Sequence, residues 1–499
     1  MSSGLRGYNI YRNGVRQNGA PIPEAGLLTI TGLAPGTPFA EQFTITAIDM
    51  AGNETKVPIP IDDVGDEAVT TLAPTEDDPL SSTITNQIDA MAALKMKPTL
   101  DRPADGAMVA VSTPAGSYEQ AYGGDRTSGR PLNTTLNFRY GSCSKMFTHT
   151  LILREIETGH LAWTDTVDQY ITGIPNGDKI TIRHLLLFQD GLKDWLTDPA
   201  VQQSYFLSPT TTYDPMAYIR ASTPSFEPGT DSGYSNAASY LLGKILEVLD
   251  ATHGTGRTVD QIVVQEWDNE VGLPSLHWPT TNYMNQPYVR GWTPNLALPQ
   301  IQQLLGPLAF LAAFLGYPVT KDLEWTAVST TWAGAAGSLA GNLQDFVKFG
   351  KALYEGVFLS DEMKQLQQEL FSSYVFYEPA GPYQGPGWMG FGLNALRWGS
   401  WRGWVGNIGG YIAVIFYKET DGSVVAVMMN NFASHADAVD LFYQIAYLLD
   451  PESTDHVPWH YRPDRVFSGS VRAPSLVQPD GGGGDPDENL VPASVPFEI

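Results

Sequence analysis

Short runs in which apolar and polar residues alternate dominate the first seventy residues of the chain. Residues 8–11 read Y-N-I-Y before the turn R-N-G, residues 28–30 read L-T-I, and residues 43–48 read F-T-I-T-A-I before D-M-A-G-N. Strand-length alternation between turn signals is typical of a small β sandwich. We therefore expect a β module over residues 1–72.

A different pattern, in which strand-like and helix-like segments alternate, extends over residues 83–452 and predicts one large α/β (α+β) domain. Apolar residues at helical spacing follow position 142 and again follow position 236, which predicts a helix beginning near each position. The residues that carry this spacing are Leu151, Ile152 and Ile156 in the first helix and Leu241, Ile245 and Leu249 in the second.

The remaining segments are typical of connections. Residues 73–82 are acidic and contain Pro and Thr, as a linker does, and residues 453–499 form an extended polar tail rich in Pro and Gly. The most apolar window, 304–319, is interrupted by Gly and Pro and is shorter than the roughly 20 residues that a membrane helix needs. We expect a buried helix there and no membrane span; a flap over a substrate cleft is the alternative.

Charge and composition exclude several classes of partner and site. The chain has 54 acidic residues against 29 basic ones, a formal net charge of -25, which repels nucleic-acid phosphates and anionic lipid. The lone cysteine, Cys143, allows no intrachain disulfide, and the first residues lack the apolar core of a secretory signal. Because we find neither metal-ligand spacing nor a glycine-rich phosphate loop, we expect no metal and no cofactor.

Ser142 and Lys145 are the first candidates for catalysis. Three residues along a helix bring both side chains onto one face, and helix N-terminal amides stabilise the negative charge that develops on an attacked carbonyl oxygen. A serine that merely caps the helix is the alternative. Tyr234 and Asn236, just before the second helix, offer a phenol that moves protons and an amide that orients substrate or lysine. For Tyr234 the alternative is a loop aromatic packed on the core.

Five segments, in order along the chain, carry a family resemblance. They are G-A-M-V-A-V at 106–111, S-C-S-K at 142–145, I-T-I-R-H-L-L at 180–186, Y-S-N at 234–236 and A-A-G-S-L at 335–339. Over residues 106–431 the chain resembles the SxxK serine hydrolases, the superfamily of class C β-lactamases, DD-peptidases and family VIII carboxylesterases. The resemblance implies a β-lactamase/penicillin-binding-protein-like domain, with an antiparallel sheet flanked by helices and an all-helical subdomain.

The same resemblance implies roles for individual residues. Ser142 would be the nucleophile, Lys145 and Tyr234 the pair that takes its proton, and Asn236 the amide of the second motif. The family's third motif, Lys-Thr-Gly or His-x-Gly, aligns with W-V-G at 404–406. Gly406 would let substrate approach the strand, and Asn407 would supply the second oxyanion amide beside that of Ser142.

Two departures from the family pattern bear on substrate choice. Trp404 cannot bind a substrate carboxylate as Lys does, although some family VIII esterases are similar in having Trp there. We therefore expect weak recognition of penicillins and of D-Ala-D-Ala; a packing role for Trp404 is the alternative. Residues 187–192 read L-F-Q-D-G-L where the family usually has T-H-T-S-G-L. We expect His184 to be structural and Cys143 to face the core.

The biological setting follows from two weaker resemblances. Residues 1–72 resemble the second part of a fibronectin type III module, and the whole chain resembles bacteriophage minor tail proteins with peptidase-like domains. These resemblances imply a virion tail component that acts outside the cell at the host envelope, with other tail subunits as partners. Two functions stay open: a hydrolase of an ester or peptidoglycan-type amide, and a structural or adhesive tail protein that binds a cell-wall component with little turnover.

Overall fold

The computed structural model describes residues 5–12, 15–16, 43–49, 54–57, 78–96, 106–198, 201, 208–293, 322–376, 389–393, 395–398, 400–431 and 435–450. Several predicted segments fall outside them: the strand at 28–30, residues 73–77 of the linker, the apolar window 304–319 and the tail 453–499. Contacts divide the chain into two compact units, Met1–Thr85 with Ser112–Tyr118 and Asn86–Val111 with Glu119–Ile499.

A four-stranded antiparallel sheet lies near the N-terminus. Its strands stand in the order β2-β1-β3-β4. They are β1 (Leu5–Arg12), β2 (Val15–Arg16), β3 (Phe43–Asp49) and β4 (Glu54–Val57). Tyr8 pairs with Ala47 and Ile45 with Val57. The strands predicted at 8–11 and 43–48 are therefore confirmed, whereas the likeness to a fibronectin type III module stays a prediction.

An eight-stranded sheet, in the order β11-β12-β13-β14-β15-β16-β5-β6, forms the centre of the large domain. Its pairs from β11 through β16 are antiparallel. The strands are β5 (Gly106–Thr113), β6 (Gly116–Gly123), β11 (Phe371–Phe376), β12 (Met389–Gly392), β13 (Leu396–Trp398), β14 (Trp401–Ile408), β15 (Tyr411–Lys418) and β16 (Val424–Met429). Two short antiparallel pairs join β7 (Phe138–Arg139) to β10 (Ala340–Gly341) and β8 (Trp292–Thr293) to β9 (Leu323–Glu324).

Helices cover both faces of this sheet. A Cβ on Gly350 would lie 3.0 Å from Ile415 Cδ1, whereas the ring of Phe416 stacks on Phe442 with centroids 4.4 Å apart. Because consecutive strand residues point to opposite faces, the helices that carry these two partners lie on opposite sides of β15. The helices are α1 (Ser82–Lys95), α2 (Ser144–Glu157), α3 (Ile182–Leu186), α4 (Met216–Ala221), α5 (Asn236–His253), α6 (Val259–Val271), α7 (Leu343–Glu355), α8 (Asp361–Glu369) and α9 (His435–Leu449).

The part of the chain between β7 and β8 is mainly helical and contains the segments that contact the sheet at β14. Trp267 of α6 donates its Nε1 hydrogen to Phe147 O of α2 at 3.1 Å. Ser235 caps α5, because its hydroxyl accepts from Ala238 N at 3.1 Å. Among the described helices none is long and apolar enough to cross a membrane. The predicted architecture, an antiparallel sheet with helices around it, is confirmed.

Candidate active site

Ser142 lies in a 3₁₀ turn, Gly141–Cys143, that leads directly into α2. The sequence placed it at a helix start, and the structure puts it one short turn earlier, since α2 itself begins at Ser144. Gly141 has a φ of 52°, a left-handed conformation that favours glycine and turns the chain from β7 into the helix.

Strand β14 presses against this turn. A Cβ on Gly406 would overlap Tyr140 O and lie 2.9 Å from Ser142 N, and a Cβ on Gly141 would lie 2.7 Å from Asn407 N. Only glycine leaves room for both backbones. The backbone amides of Ser142 and Asn407 therefore lie on either side of one close approach, as two donors for a single oxyanion require.

Gly406→Ala is expected to lower both stability and reactivity. The added methyl meets backbone atoms of Tyr140 and Ser142, so β14 or the nucleophile turn must move. We expect a loss of about 1–3 kcal/mol in the free energy of unfolding, as for other overpacked sites. Thermal denaturation measures the stability, and the rate at which a phosphonate modifies Ser142 measures the reactivity. Unchanged values of both would contradict the close approach.

Lys145 is fully buried and surrounded by oxygen atoms. Its Nζ lies 2.9 Å from Ser142 Oγ and 2.5 Å from Tyr234 Oη. It also lies 2.8 Å from both Asn236 Oδ1 and Ala336 O. The last two are carbonyl oxygens, which accept but never donate, so they take two of the three hydrogens of an ammonium group. The third position on Nζ faces the two hydroxyl oxygens, Ser142 Oγ and Tyr234 Oη.

Tyr234 completes the cluster from the loop before α5. Its Oη lies 2.7 Å from Ser142 Oγ and 3.2 Å from Asn236 Oδ1. The hydroxyl, amine and phenol thus meet within hydrogen-bonding distance although they stand up to 92 positions apart in the chain. A proton on Ser142 can pass to the phenol oxygen and from there to a neutral Lys145 without any large movement.

Asp194 fixes the orientation of Asn236, and the sequence did not reveal it. Its Oδ2 accepts from Asn236 N at 3.1 Å and from Asn236 Nδ2 at 2.7 Å. A carboxylate only accepts, so the amide nitrogen must face Asp194 and the amide oxygen must face Lys145. Burial raises the pKa of Asp194, while backbone hydrogen bonds and the charge of Lys145 oppose that shift. The signal available in the sequence was an Asp that caps the turn Trp195–Thr197.

Asp190, four residues earlier, is a second buried acid on the same loop. Its Oδ1 accepts from Leu192 N at 2.9 Å and from Ser235 Oγ at 3.2 Å, which joins the loop to the cap of α5. Among the described residues its Oδ2 has no hydrogen-bond partner. Burial raises the pKa of Asp190 to about 7, against hydrogen bonds that favour the carboxylate.

Stability should therefore depend on the protonation of Asp190. Its folded pKa of about 7 lies above the ordinary 3.8, so its contribution is complete below about pH 4 and is lost as the pH rises through about 7. Asp190→Asn has no carboxyl group to ionise, so above about pH 7 its free energy of unfolding should exceed that of the wild type by up to about 4 kcal/mol. Melting temperatures of both proteins from pH 4 to pH 8 should diverge steadily in favour of the variant. Parallel curves would show that Asp190 titrates normally.

Two further residues named from the sequence, Cys143 and His184, have structural roles. Cys143 is buried, its Sγ lies 3.5 Å from both Trp404 O and Ala413 O, either of which can accept the thiol hydrogen, and burial raises its pKa well above the usual value. His184 caps its own helix: its Nδ1 accepts from Thr181 N at 3.2 Å. Both expectations, a core-facing thiol and a structural histidine, are confirmed.

Trp404 lies on the same side of β14 as Gly406 and is 1% exposed. Its ring lies 5.8 Å from that of Phe188, which in turn stacks on Tyr234 at 5.7 Å with an interplanar angle of 11°. The structure therefore places a buried, neutral indole at the third-motif position. Within the described residues no cluster of His, Cys, Asp and Glu could hold a metal ion.

Three comparisons with known proteins bear on this geometry. The beta-lactamase family model matches residues 88–450. Penicillin-binding protein 4* of Bacillus subtilis (strain 168) is 33% identical over 132 residues, which are 26% of this chain and only 29% of that protein. A D-stereospecific amidohydrolase from Streptomyces sp. is similar in structure, with a TM-score of 0.57 at 22% identity over 72% of this chain and 98% of that chain. A D-amino acid amidase from Ochrobactrum anthropi SV3 has a TM-score of 0.59 at 19% identity over 74% and 100%. The structural likenesses confirm the fold.

Proposed function

This chain belongs to the beta-lactamase family, and from that premise we propose that it forms an acyl-enzyme at Ser142 and hydrolyses an ester or a D-amino-acid amide. One observation carries the proposal. Ser142 Oγ lies 2.7 Å from Tyr234 Oη and 2.9 Å from Lys145 Nζ. A serine hydroxyl is a weak nucleophile unless a base removes its proton, and both bases here are already in contact with it.

The proton route follows from the hydrogens of Lys145. When the amine is neutral, its two hydrogens bind Asn236 Oδ1 and Ala336 O, and its lone pair faces Tyr234 Oη. Ser142 Oγ attacks the carbonyl carbon, its proton moves to the phenol oxygen, and the phenol proton moves to Lys145. The Ser142 oxygen–carbon bond forms while the carbonyl π electrons move onto oxygen.

The second half of the reaction reverses these transfers. The tetrahedral intermediate collapses, the bond to the leaving alcohol or amine breaks, and Tyr234 protonates that leaving group. A water molecule then attacks the acyl-enzyme and gives up a proton along the same route, which releases a carboxylic acid and restores Ser142. The amides of Ser142 and Asn407 stabilise both oxyanions, each by about 3–4 kcal/mol in comparable sites.

Trp404 supports a substrate without a carboxylate next to the scissile bond. The indole is neutral and 1% exposed, so this position offers no cation where the family's third motif has Lys or His. A charge-assisted hydrogen bond contributes about 1.5–3 kcal/mol, so a substrate that depends on it loses an order of magnitude or more in affinity. Similarity in fold to a D-amino acid amidase favours a D-amino-acid amide, and an ester is the second class.

A substrate panel tests the proposal. It contains D- and L-phenylalanine amide, p-nitrophenyl esters of short and long acids, nitrocefin and a D-Ala-D-Ala peptide, each assayed beside Ser142→Ala as the blank. We expect turnover of an ester or D-amide, and little of nitrocefin or the peptide. If no substrate is turned over and a phosphonate leaves no adduct on Ser142, the alternative function, adhesion to a cell-wall component, replaces this one.

We also propose the setting that the sequence indicates, a virion tail component that acts at the bacterial envelope beside other tail subunits. Its support is the likeness of the sequence to minor tail proteins and the small antiparallel sheet of β1 to β4 near the N-terminus. Mass spectrometry of purified particles, and mass photometry of the isolated chain, would test it. If the chain is absent from such particles, the proposed setting is contradicted, but the proposed hydrolysis at Ser142 is not.

A further inference from the structure

Helix α3 ends in a way that usually requires glycine. Gln189 N donates to His184 O at 2.8 Å and Phe188 N donates to Leu185 O at 3.3 Å, the paired bonds of a Schellman motif. In such a motif the residue directly after the C-cap of the helix adopts the left-handed conformation. Here that residue is Phe188, with a φ of 54°. A bulky residue costs free energy in this conformation, so its ring has to contribute something that glycine cannot.

Phe188 holds the segment of Tyr234 in two independent ways. Its carbonyl oxygen accepts from Gly233 N at 2.9 Å, which fixes the backbone directly before the tyrosine. Its fully buried ring stacks on the tyrosine ring at 5.7 Å and 11°, while Trp404 lies 5.8 Å away on the third-motif strand. The ring thus packs against both the loop that carries the phenol and the strand that carries Asn407.

We propose that Phe188 is a positioning residue for Tyr234: its left-handed backbone directs the ring against the phenol and keeps Tyr234 Oη within reach of Ser142 and Lys145. This inference rests on the proposed function. This role depends on the geometry of the Tyr234 side chain, because its phenol oxygen must lie 2.7 Å from Ser142 Oγ and 2.5 Å from Lys145 Nζ at the same time. Loss of the ring would let the phenol rotate, and a displacement of about 1 Å is enough to slow a reaction 100-fold.

A double-mutant cycle tests this role through the rate at which a phosphonate modifies Ser142. Phe188→Leu should slow modification by 10-fold or more in the wild-type background. In the Tyr234→Phe background the same substitution should slow it less than about threefold, because the oxygen that Phe188 positions is already gone. Equal losses in the two backgrounds would overturn the proposal, since a general loss of packing acts regardless of the phenol.

Two more substitutions separate the backbone from the ring. Phe188→Gly and Phe188→Ala both remove the ring and should slow modification equally. The glycine variant should melt at the higher temperature, because glycine adopts a φ of 54° without strain. Phe349→Leu, at an equally buried aromatic that stacks on Phe147, serves as the packing control and should lower the melting temperature without the same loss of rate.

The outcomes distinguish the two proposals. If the wild type is not modified at Ser142 at all, the proposed function fails and this inference fails with it. If the wild type is modified and Phe188→Leu is as fast, or is slowed no more than Phe349→Leu, only the positioning role is overturned. Slower modification that depends on the Tyr234 hydroxyl supports both.

Discussion

Ser142→Ala is expected to abolish covalent labelling by a phosphonate and to lower turnover by on the order of 10⁵- to 10⁶-fold, the loss seen when a serine nucleophile is removed from a comparable unit. The reason is that Lys145 and Tyr234 act on the proton of this one oxygen, at 2.9 and 2.7 Å. Without Oγ neither has a proton to take. Rates of ester or amide hydrolysis, and the mass of the protein after phosphonate treatment, measure the effect.

The neighbouring thiol supplies the control for that experiment. Cys143 is fully buried, and burial holds its pKa well above the usual value, so it stays a neutral thiol. Cys143→Ala removes the second nucleophilic side chain of the turn and should leave an adduct on Ser142. An adduct that persists in Ser142→Ala and disappears in Cys143→Ala would move the nucleophile to the thiol and refute the assignment.

The cluster residues that the sequence predicted form two pairs, and the members of each pair stand close together in the chain. Ser142 and Lys145 stand three residues apart at the start of a helix, and Tyr234 and Asn236 stand on either side of Ser235, the N-cap of α5. Helical geometry fixes such pairs, so they can be read from a sequence. The meeting of the two pairs in space came only from the family resemblance, because periodicity says nothing about which segments converge.

The supporting residues were missed because their role depends on long-range orientation. Asp194 matters through the amide of Asn236, 42 positions away, and Phe188 matters through the ring of Tyr234. In the sequence the first reads as a loop carboxylate and the second as an ordinary apolar residue. Even the left-handed backbone of Phe188 had no warning, since the usual signal at a helix C-terminus is glycine and none is there.

The fold, like the site, could be predicted where it depends on local sequence pattern and not where it depends on contacts between distant segments. Strands β1 and β3 were predicted from the alternation of apolar and polar residues along the sequence, which is the pattern of a half-buried strand. Strand β15 is buried along its whole length, with helices on both faces, so its apolar run Y-I-A-V-I-F-Y has no alternation to read. Its neighbours in the sheet, and the passage of β14 against the nucleophile turn, follow from tertiary packing alone.

Lys145→Met is expected to lower the rate of acylation by on the order of 10²- to 10⁴-fold, the range of a lost general base, with Ser142 and Tyr234 still in place. Methionine keeps nearly the length of the side chain but has no basic nitrogen to take a proton and no polar hydrogens to donate to these oxygens. Asn236 Oδ1 and Ala336 O would also lose a buried donor, so stability should fall by about 1–3 kcal/mol. The phosphonate rate and thermal denaturation report the two effects separately.

A matched surface substitution tests whether the loss is specific to Lys145. Lys145→Met should keep only a slow residual rate of acylation, because the Nζ that contacts both Ser142 Oγ and Tyr234 Oη is gone. Lys179→Met is the matched control, because Lys179 is exposed and pairs with the side chain of Glu227 on the surface, at 3.1 Å. A Lys145→Met protein that retains a tenth of the rate would assign the base to Tyr234 alone, with the amine reduced to an electrostatic partner of the phenol.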